Sequence, residues 1–332
     1  MSSVPQCPER SRAPVFISGC PRSGTTLLYH MLLSAGGFAV YRTESSVFNV
    51  LKPLFGNLKA KKNRQRLMDV WLKSKLFERS GLDQHNIREK VIAECRGPGD
   101  FLKIIMEEIA RSQNVSRWAD CTPEHLLYTA EIKRAFPKAL VIHMIRDGRD
   151  VALSLERQRW IRPFFSHVGS GLLAAGLYWE WMVGKGRTQG PHMAPDYLEV
   201  RFEDLIEAPQ ETLRSVSTFI AQDLDYDQIQ KRAIGSVKKP NTSFETESES
   251  GEFAPVSRWK ASFPKQELAI LETAVGATLR EMGYSPSHQK IQKSTSVAGI
   301  RAIYRASFDA KLWAKKHTTL GRIFMKPDLS WL

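Results

Sequence analysis

The chain has little cysteine and no long apolar run. Its 332 residues include four cysteines (Cys7, Cys20, Cys95 and Cys121), with no Cys-x-x-Cys pair and no histidine cluster beside them. That excludes a disulfide scaffold and leaves a structural zinc site without a ligand pattern. No stretch approaches the roughly 18 consecutive apolar residues of a membrane span, because the longest, Val168–Trp179, stops at Glu180. The opening MSSVPQCPERSRAPVF has no apolar core of the kind a secretory signal needs. A cytoplasmic, reduced protein is therefore expected. No internal repeat is visible, which excludes solenoids and propellers. Hydrophobic residues at 42% and charged residues at 25% are the proportions of an ordinary globular chain.

What is present in excess is positive charge. Lys and Arg number 48 against 35 Asp and Glu, a formal net charge of +13. Between Ser285 and Leu332 nine basic residues meet only Asp309 and Asp328, so this tail carries +7 and the preceding body +6. A modestly basic body suits an anionic ligand. In the tail Ile300, Ile303, Tyr304, Phe308 and Leu312 recur at helical spacing, flanked by Arg301, Arg305, Lys311, Lys315 and Lys316. Such a helix either packs on the domain with a solvated charged face or makes peripheral contact with an anionic membrane surface.

Three short apolar runs read as strands: Pro14–Gly19, Ala139–Ile145 and Tyr197–Phe202. Helical patterns follow them at Thr25–Leu33, stopped by Gly36-Gly37, at Arg149–Arg157 and at Gln210–Ile220. Residues 62–80, 100–112 and Gln266–Met282 are also helical in pattern. Strands alternating with helices imply an α/β fold with a parallel sheet. The polar, Ser- and Glu-rich stretch Val237–Ser257 reads as a mobile loop.

Two motifs carry chemistry. Gly19-Cys-Pro-Arg-Ser-Gly-Thr-Thr26 lies between the first strand and its helix, where backbone N–H groups and the helix N-terminus converge on an anion. The spacing of Gly19 and Gly24 is that of a nucleoside-triphosphate loop, but Thr25 stands at the lysine position and the positive charge has moved inside the loop, to Arg22. A β/γ-phosphate grip is poorly served; a singly activated anhydride fits better. The second motif, Arg146-Asp147-Gly148-Arg149-Asp150, follows the second strand at once, at the sheet edge where α/β proteins gather ligands. Arg146 supplies a planar fork suited to phosphate, and Ser154 lies eight residues on, about two helical turns further. Asp147 and Asp150 can instead cap the helix and pair with the arginines.

Together these motifs resemble those of the sulfotransferases that use 3′-phosphoadenosine 5′-phosphosulfate (PAPS), most closely the tyrosylprotein sulfotransferases and related bacterial enzymes. The resemblance implies a three-layer sandwich with a central parallel sheet and a P-loop-like phosphate-binding loop. It implies that Arg22, Ser23, Gly24, Thr25 and Thr26 hold the 5′-phosphosulfate, and that Arg146 and Ser154 hold the 3′-phosphate. Ser257-Arg258-Trp259-Lys260 resembles a further donor-contacting segment of the family, which adds Arg258, Trp259 and Lys260. By position Glu44 matches a family base for the acceptor hydroxyl, with His125 as second choice and His143 as a core histidine. No metal is implied, since Arg and backbone N–H groups neutralise the leaving phosphate. Residues 1–286 would be the sulfotransferase domain and 287–332 a basic helical extension. The acceptor would be a small molecule, carbohydrate or lipid bearing a hydroxyl, with no nucleic-acid partner. Other readings are a P-loop nucleotide kinase or NTPase, or a non-enzymatic nucleic-acid or membrane-binding protein. The chain departs from the family twice: Cys121, in Asp120-Cys-Thr-Pro123, replaces a lysine, and Phe202 replaces a frequent tyrosine.

Overall fold

The computed structural model describes residues 9–164, 170–238, 255–287 and 295–318, with 322 and 329. Its centre is β1, Val15–Gly19, buried at all five positions. An apolar run with no polar alternation suits a strand covered on both faces, which is the parallel-sheet situation. β1 lies between β2, Ala119–Asp120, and β3, Leu140–Ile145; β4, Tyr197–Arg201, pairs on the far side of β3. All pairings are parallel, in the order β2-β1-β3-β4. β1 and β3 run in register from Val15 opposite Leu140 to Gly19 opposite Met144, so their carboxyl ends open side by side. A Cβ on Gly19 would lie 2.4 Å from the Met144 carbonyl oxygen, so only glycine lets the strands meet there.

Alternation along the strands feeds two cores. Phe16, Val141 and Ile145 join Trp118, Phe136 and Trp179 on one face. Val15, Ile17, Leu140 and Ile142 join Leu28, Leu32 and Val216 on the other. Each such side chain contributes about 1.5–3 kcal/mol when fully buried. Helices on both faces complete the three layers expected of an α/β sandwich.

Where helices differ from the pattern, capping explains it. The 62–80 pattern divides into Lys61–Trp71 and Lys75–Ser80. Ser74 interrupts it: its hydroxyl donates to the Trp71 carbonyl (2.6 Å) and accepts the Phe77 N–H (3.4 Å), starting a new helix. Asp83 caps an unanticipated helix, Gln84–Glu94, by accepting the Asn86 N–H at 2.8 Å. The apolar run near 168–179 becomes the core helix Ser170–Gln189. No helix among the described residues is long and apolar enough to cross a membrane.

The basic tail forms the helix Thr295–His317, which packs on Ser170–Gln189. Tyr304 is 2% exposed, and the Phe308 ring meets Tyr178 and Trp181 at 5.3 and 5.4 Å. Arg301 grips Glu180 with two bonds of 2.6 and 2.7 Å, and Trp181 donates to Asp309 at 2.9 Å. This packing takes up Tyr304 and Phe308 from the apolar stripe on which the membrane expectation rests. Ile303 and Trp313 stay outside, at 52% and 59% exposure.

Candidate active site

The loop between β1 and the helix Thr25–Ala35 turns on two left-handed residues, Arg22 (φ 76°) and Gly24 (φ 88°). Such a turn next to the positive end of a helix is the kind of geometry that cradles an anion. A non-glycine residue in this conformation costs about 1–3 kcal/mol, so Arg22 holds a strained backbone. Gly24 has no alternative: a Cβ there would lie 2.2 Å from the Phe202 ring. Ser23 is fully buried, and its hydroxyl has no partner among the described residues.

Arg146 leaves the end of β3 and is buried beside this loop. Its NH1 donates to the Arg22 carbonyl (3.1 Å), its NH2 to the Pro255 carbonyl (2.7 Å), and its guanidinium lies 4.3 Å over Phe202. Its own carbonyl accepts the Trp179 indole N–H at 3.0 Å. The aromatic at position 202 thus keeps a contact that its missing hydroxyl does not affect. Arg146 Nε is buried without a partner among the described residues. Asp147 and Arg149 are structural. Asp147 caps the helix Gly148–Arg157 and chelates Arg149, whose NH1 also reaches Glu272 at 2.7 Å.

Ser154 faces back from that helix and accepts a hydrogen bond from Arg22 Nε at 2.8 Å. The two sequence motifs therefore meet through this pair. Burial lowers the pKa of Arg22, and the nearby charges of Arg146 and Arg258 lower it further. Arg146 is lowered by burial too, with Arg258 adding to the effect against Asp150 and Glu203. Arginine stays charged regardless, so three guanidiniums crowd one place. Trp259 is buried 3.7 Å beneath the Arg149 guanidinium, its indole N–H without a partner among the described residues. Lys260 is exposed, 5.7 Å from the Trp259 ring.

Arg22, Gly24, Thr25, Thr26, Glu44 and Arg146 together line one cleft. Glu44 is open to solvent on the cleft side and hemmed in elsewhere. Desolvation, then the charges of Asp120 and Glu124, push its carboxyl up to about 8, against the pull of Arg22. Cys121 is buried and hydrogen-bonds the Thr25 and Thr26 side chains; burial raises its thiol well above the ordinary value. It packs beneath the loop.

His125 is excluded as the alternative base. It is fully buried, its Nε2 accepts the Phe48 N–H at 3.2 Å, and its Nδ1 donates to Asp120 at 2.7 Å. With both nitrogens engaged it cannot take a proton from a ligand. Burial would raise the Asp120 carboxyl, but His125, Ser45 and Thr122 together hold it below its ordinary value. His143 is a core residue: buried, 2.6 Å from the Tyr197 hydroxyl, and pushed down to about 3 by burial and Arg187. The aromatics of the 45–120 and 160–195 segments could line an acceptor pocket or fill a core: Phe48 and Trp71 are core, Phe77 is partly buried against that core, Trp160 and Phe164 are exposed, and Phe165 lies outside the described residues.

Trp160, expected in a core rather than a pocket, is 54% exposed and lines the cleft, 5.9 Å from the Arg22 guanidinium. Sequence reasoning missed another lining residue, Ser236. Ser236 donates its N–H to His30 Nδ1 at 3.0 Å, which anchors the chain entering 239–254, residues outside those described. Ser236 had no motif to mark it.

Comparison with known proteins agrees with this architecture. The solved sulfotransferase domain of the curacin biosynthetic pathway superposes with a TM-score of 0.55 at 15% identity, covering 82% of this chain and 98% of that one. The sulfotransferase domain of the Synechococcus PCC 7002 olefin synthase gives 0.49 at 16% identity, covering 90% and 94%. A mouse sulfotransferase complexed with PAP gives 0.43 at 14% identity, covering 91% and 94%. No curated protein matches the chain significantly. The family model described as "Sulfotransferase family" matches residues 14–227, which include both motifs, and the chain belongs to that family.

Proposed function

We infer that the protein transfers a sulfuryl group from PAPS to an acceptor hydroxyl. The observation that carries this reading is the convergence of Arg22, Arg146 and Arg258, which repel one another beside a helix N-terminus and two buried polar atoms without partners among the described residues, Ser23 Oγ and Arg146 Nε. Crowded like charges with unsatisfied donors are costly unless a dense anion completes them. A nucleotide with phosphates at both the 5′ and 3′ positions has that charge. An ATP reading lacks a lysine at position 25.

In this reading Ser23, Gly24, Thr25 and Thr26 hold the 5′-phosphosulfate through loop N–H groups and hydroxyls. Arg146, Ser154 and Arg258 take the 3′-phosphate, and Trp259 and Lys260 flank the nucleotide. PAPS supplies the activated sulfuryl group. Arg22 balances charge that develops on the leaving phosphate, as fixed cations do in the related phosphoryl chemistry. Glu44 removes the acceptor proton, for which it must be ionised. The acceptor is a small molecule, carbohydrate or lipid bearing a hydroxyl.

We assign catalysis to residues 1–286 and read 287–332 as an added segment whose helix packs on that domain, with peripheral membrane contact left to its exposed Ile303 and Trp313. The buried thiols Cys20, Cys95 and Cys121 suit a reducing, cytoplasmic setting. Incubating the protein with sulfur-labelled PAPS and a metabolite extract, then following label by mass spectrometry, tests the reading. It requires labelled product that an Arg22→Ala variant does not form; unused donor would contradict it.

A further inference from the structure

Asp150 follows the Arg-Asp-Gly-Arg motif and looks like one more capping acid of its helix. Its contacts are elsewhere. It is 3% exposed and accepts the Ser257 N–H on Oδ2 and the Trp259 N–H on Oδ1, both at 2.9 Å. The same Oδ2 stands 4.0 Å from Arg146 NH2, which itself donates to the Pro255 carbonyl. One carboxylate thus ties the end of β3 to a segment over 100 residues later. That segment needs holding: Ser257 is left-handed at φ 59°, and the helix behind it, Trp259–Ser262, has only four residues. A helix so short has no intrinsic stability.

We propose that Asp150 is a positioning residue for the donor site: by fixing the N–H groups of Ser257 and Trp259 it sets Arg258 in register with Arg146 and Arg22. The inference rests on the PAPS reading. Two acceptor atoms are required, so no neutral isostere suffices. In Asp150→Asn one oxygen becomes an N–H₂ donor facing an N–H, and the negative charge beside Arg146 is lost. Bonds to a charged group are among the stronger hydrogen bonds.

The test compares PAP (3′-phosphoadenosine 5′-phosphate) with AMP, which lacks the 3′-phosphate, by calorimetric titration. Asp150→Asn should weaken PAP binding about tenfold or more, the loss expected for one charge-assisted bond, and change AMP binding less than about threefold. The preference for PAP would therefore collapse. Circular dichroism and the melting temperature show whether the variant is folded. Should it not fold, a cycle of Asp150→Glu with Arg258→Ala gives the same information, because residues acting as one unit show non-additive losses. Equal loss of both nucleotides, additive losses in the cycle, or an intact preference in a folded variant each overturn the positioning role. A wild-type chain that binds PAP no better than AMP instead removes the donor reading beneath it.

Discussion

Arg22 Nε donates to Ser154 Oγ at 2.8 Å, joining the strand-to-helix loop to the helix that follows β3 across 132 residues of sequence. The bond places a guanidinium between the two halves of the site. Its backbone is held as well, because the Arg22 carbonyl accepts a bond from Arg146. Arg22→Ala should lower turnover about 10²–10³-fold, the cost of removing one positioned donor, and weaken PAP binding. Arg22→Lys should recover little, since lysine has no fork to reach Ser154 and a phosphate together. Steady-state kinetics with calorimetry on both variants checks this; near-normal turnover in Arg22→Ala refutes the role.

Glu44 should lose turnover about 10²–10⁴-fold on conversion to Gln, with PAP bound as before. Its pH dependence has a definite sign. Desolvation and neighbouring acids raise the carboxyl to about 8, so most of the free enzyme holds Glu44 protonated at pH 7. Because the base works ionised, kcat/KM should rise with pH and level off above about 8. A profile that is already flat at pH 6 would assign the proton transfer to another group.

Gly24→Ala removes the only residue that fits both a φ of 88° and a ring 2.2 Å from the new Cβ. Either Phe202 moves away from Arg146 or the loop opens. Loss of measurable PAP binding in a protein that still folds is the expected outcome. Binding within twofold of wild type would show that the loop conformation is not required.

Tyr304→Ala should cost about 3–5 kcal/mol, as expected for a buried aromatic, and lower the melting temperature by several degrees or more. Its ring lies 4.7 Å from Phe164, and its hydroxyl accepts the Phe164 N–H at 2.9 Å. An unchanged melting temperature would make the C-terminal helix a dispensable appendage.

The residues legible in advance were those whose role is local. β1, β3 and β4 announce themselves as short apolar runs, and the phosphate loop is one contiguous stretch with fixed turn chemistry. β2, two residues long at Ala119–Asp120, exists only because β1 offers it an edge. The helix Ser170–Gln189 is apolar almost all round, so it shows no face to a periodicity argument. The break at Ser74 hides inside an unbroken helical pattern. In the site, Arg146 and Ser154 were legible together because Arg146 stands just before the helix Gly148–Arg157 and Ser154 lies within it, eight residues on. Asp150 was not, because its partners lie at Ser257 and Trp259. His125 stood second to Glu44 as a base, and its two nitrogens are taken by Phe48 and Asp120.

Calorimetric titration of the wild-type protein with PAP and with ATP–Mg²⁺ tests the central claim most directly. The account predicts a single saturable PAP site with affinity at least about a hundredfold above that for ATP–Mg²⁺, worth roughly 2.8 kcal/mol by the relation of tenfold to 1.4 kcal/mol. ATP–Mg²⁺ binding as tightly as PAP, or no heat from PAP at all, would contradict it.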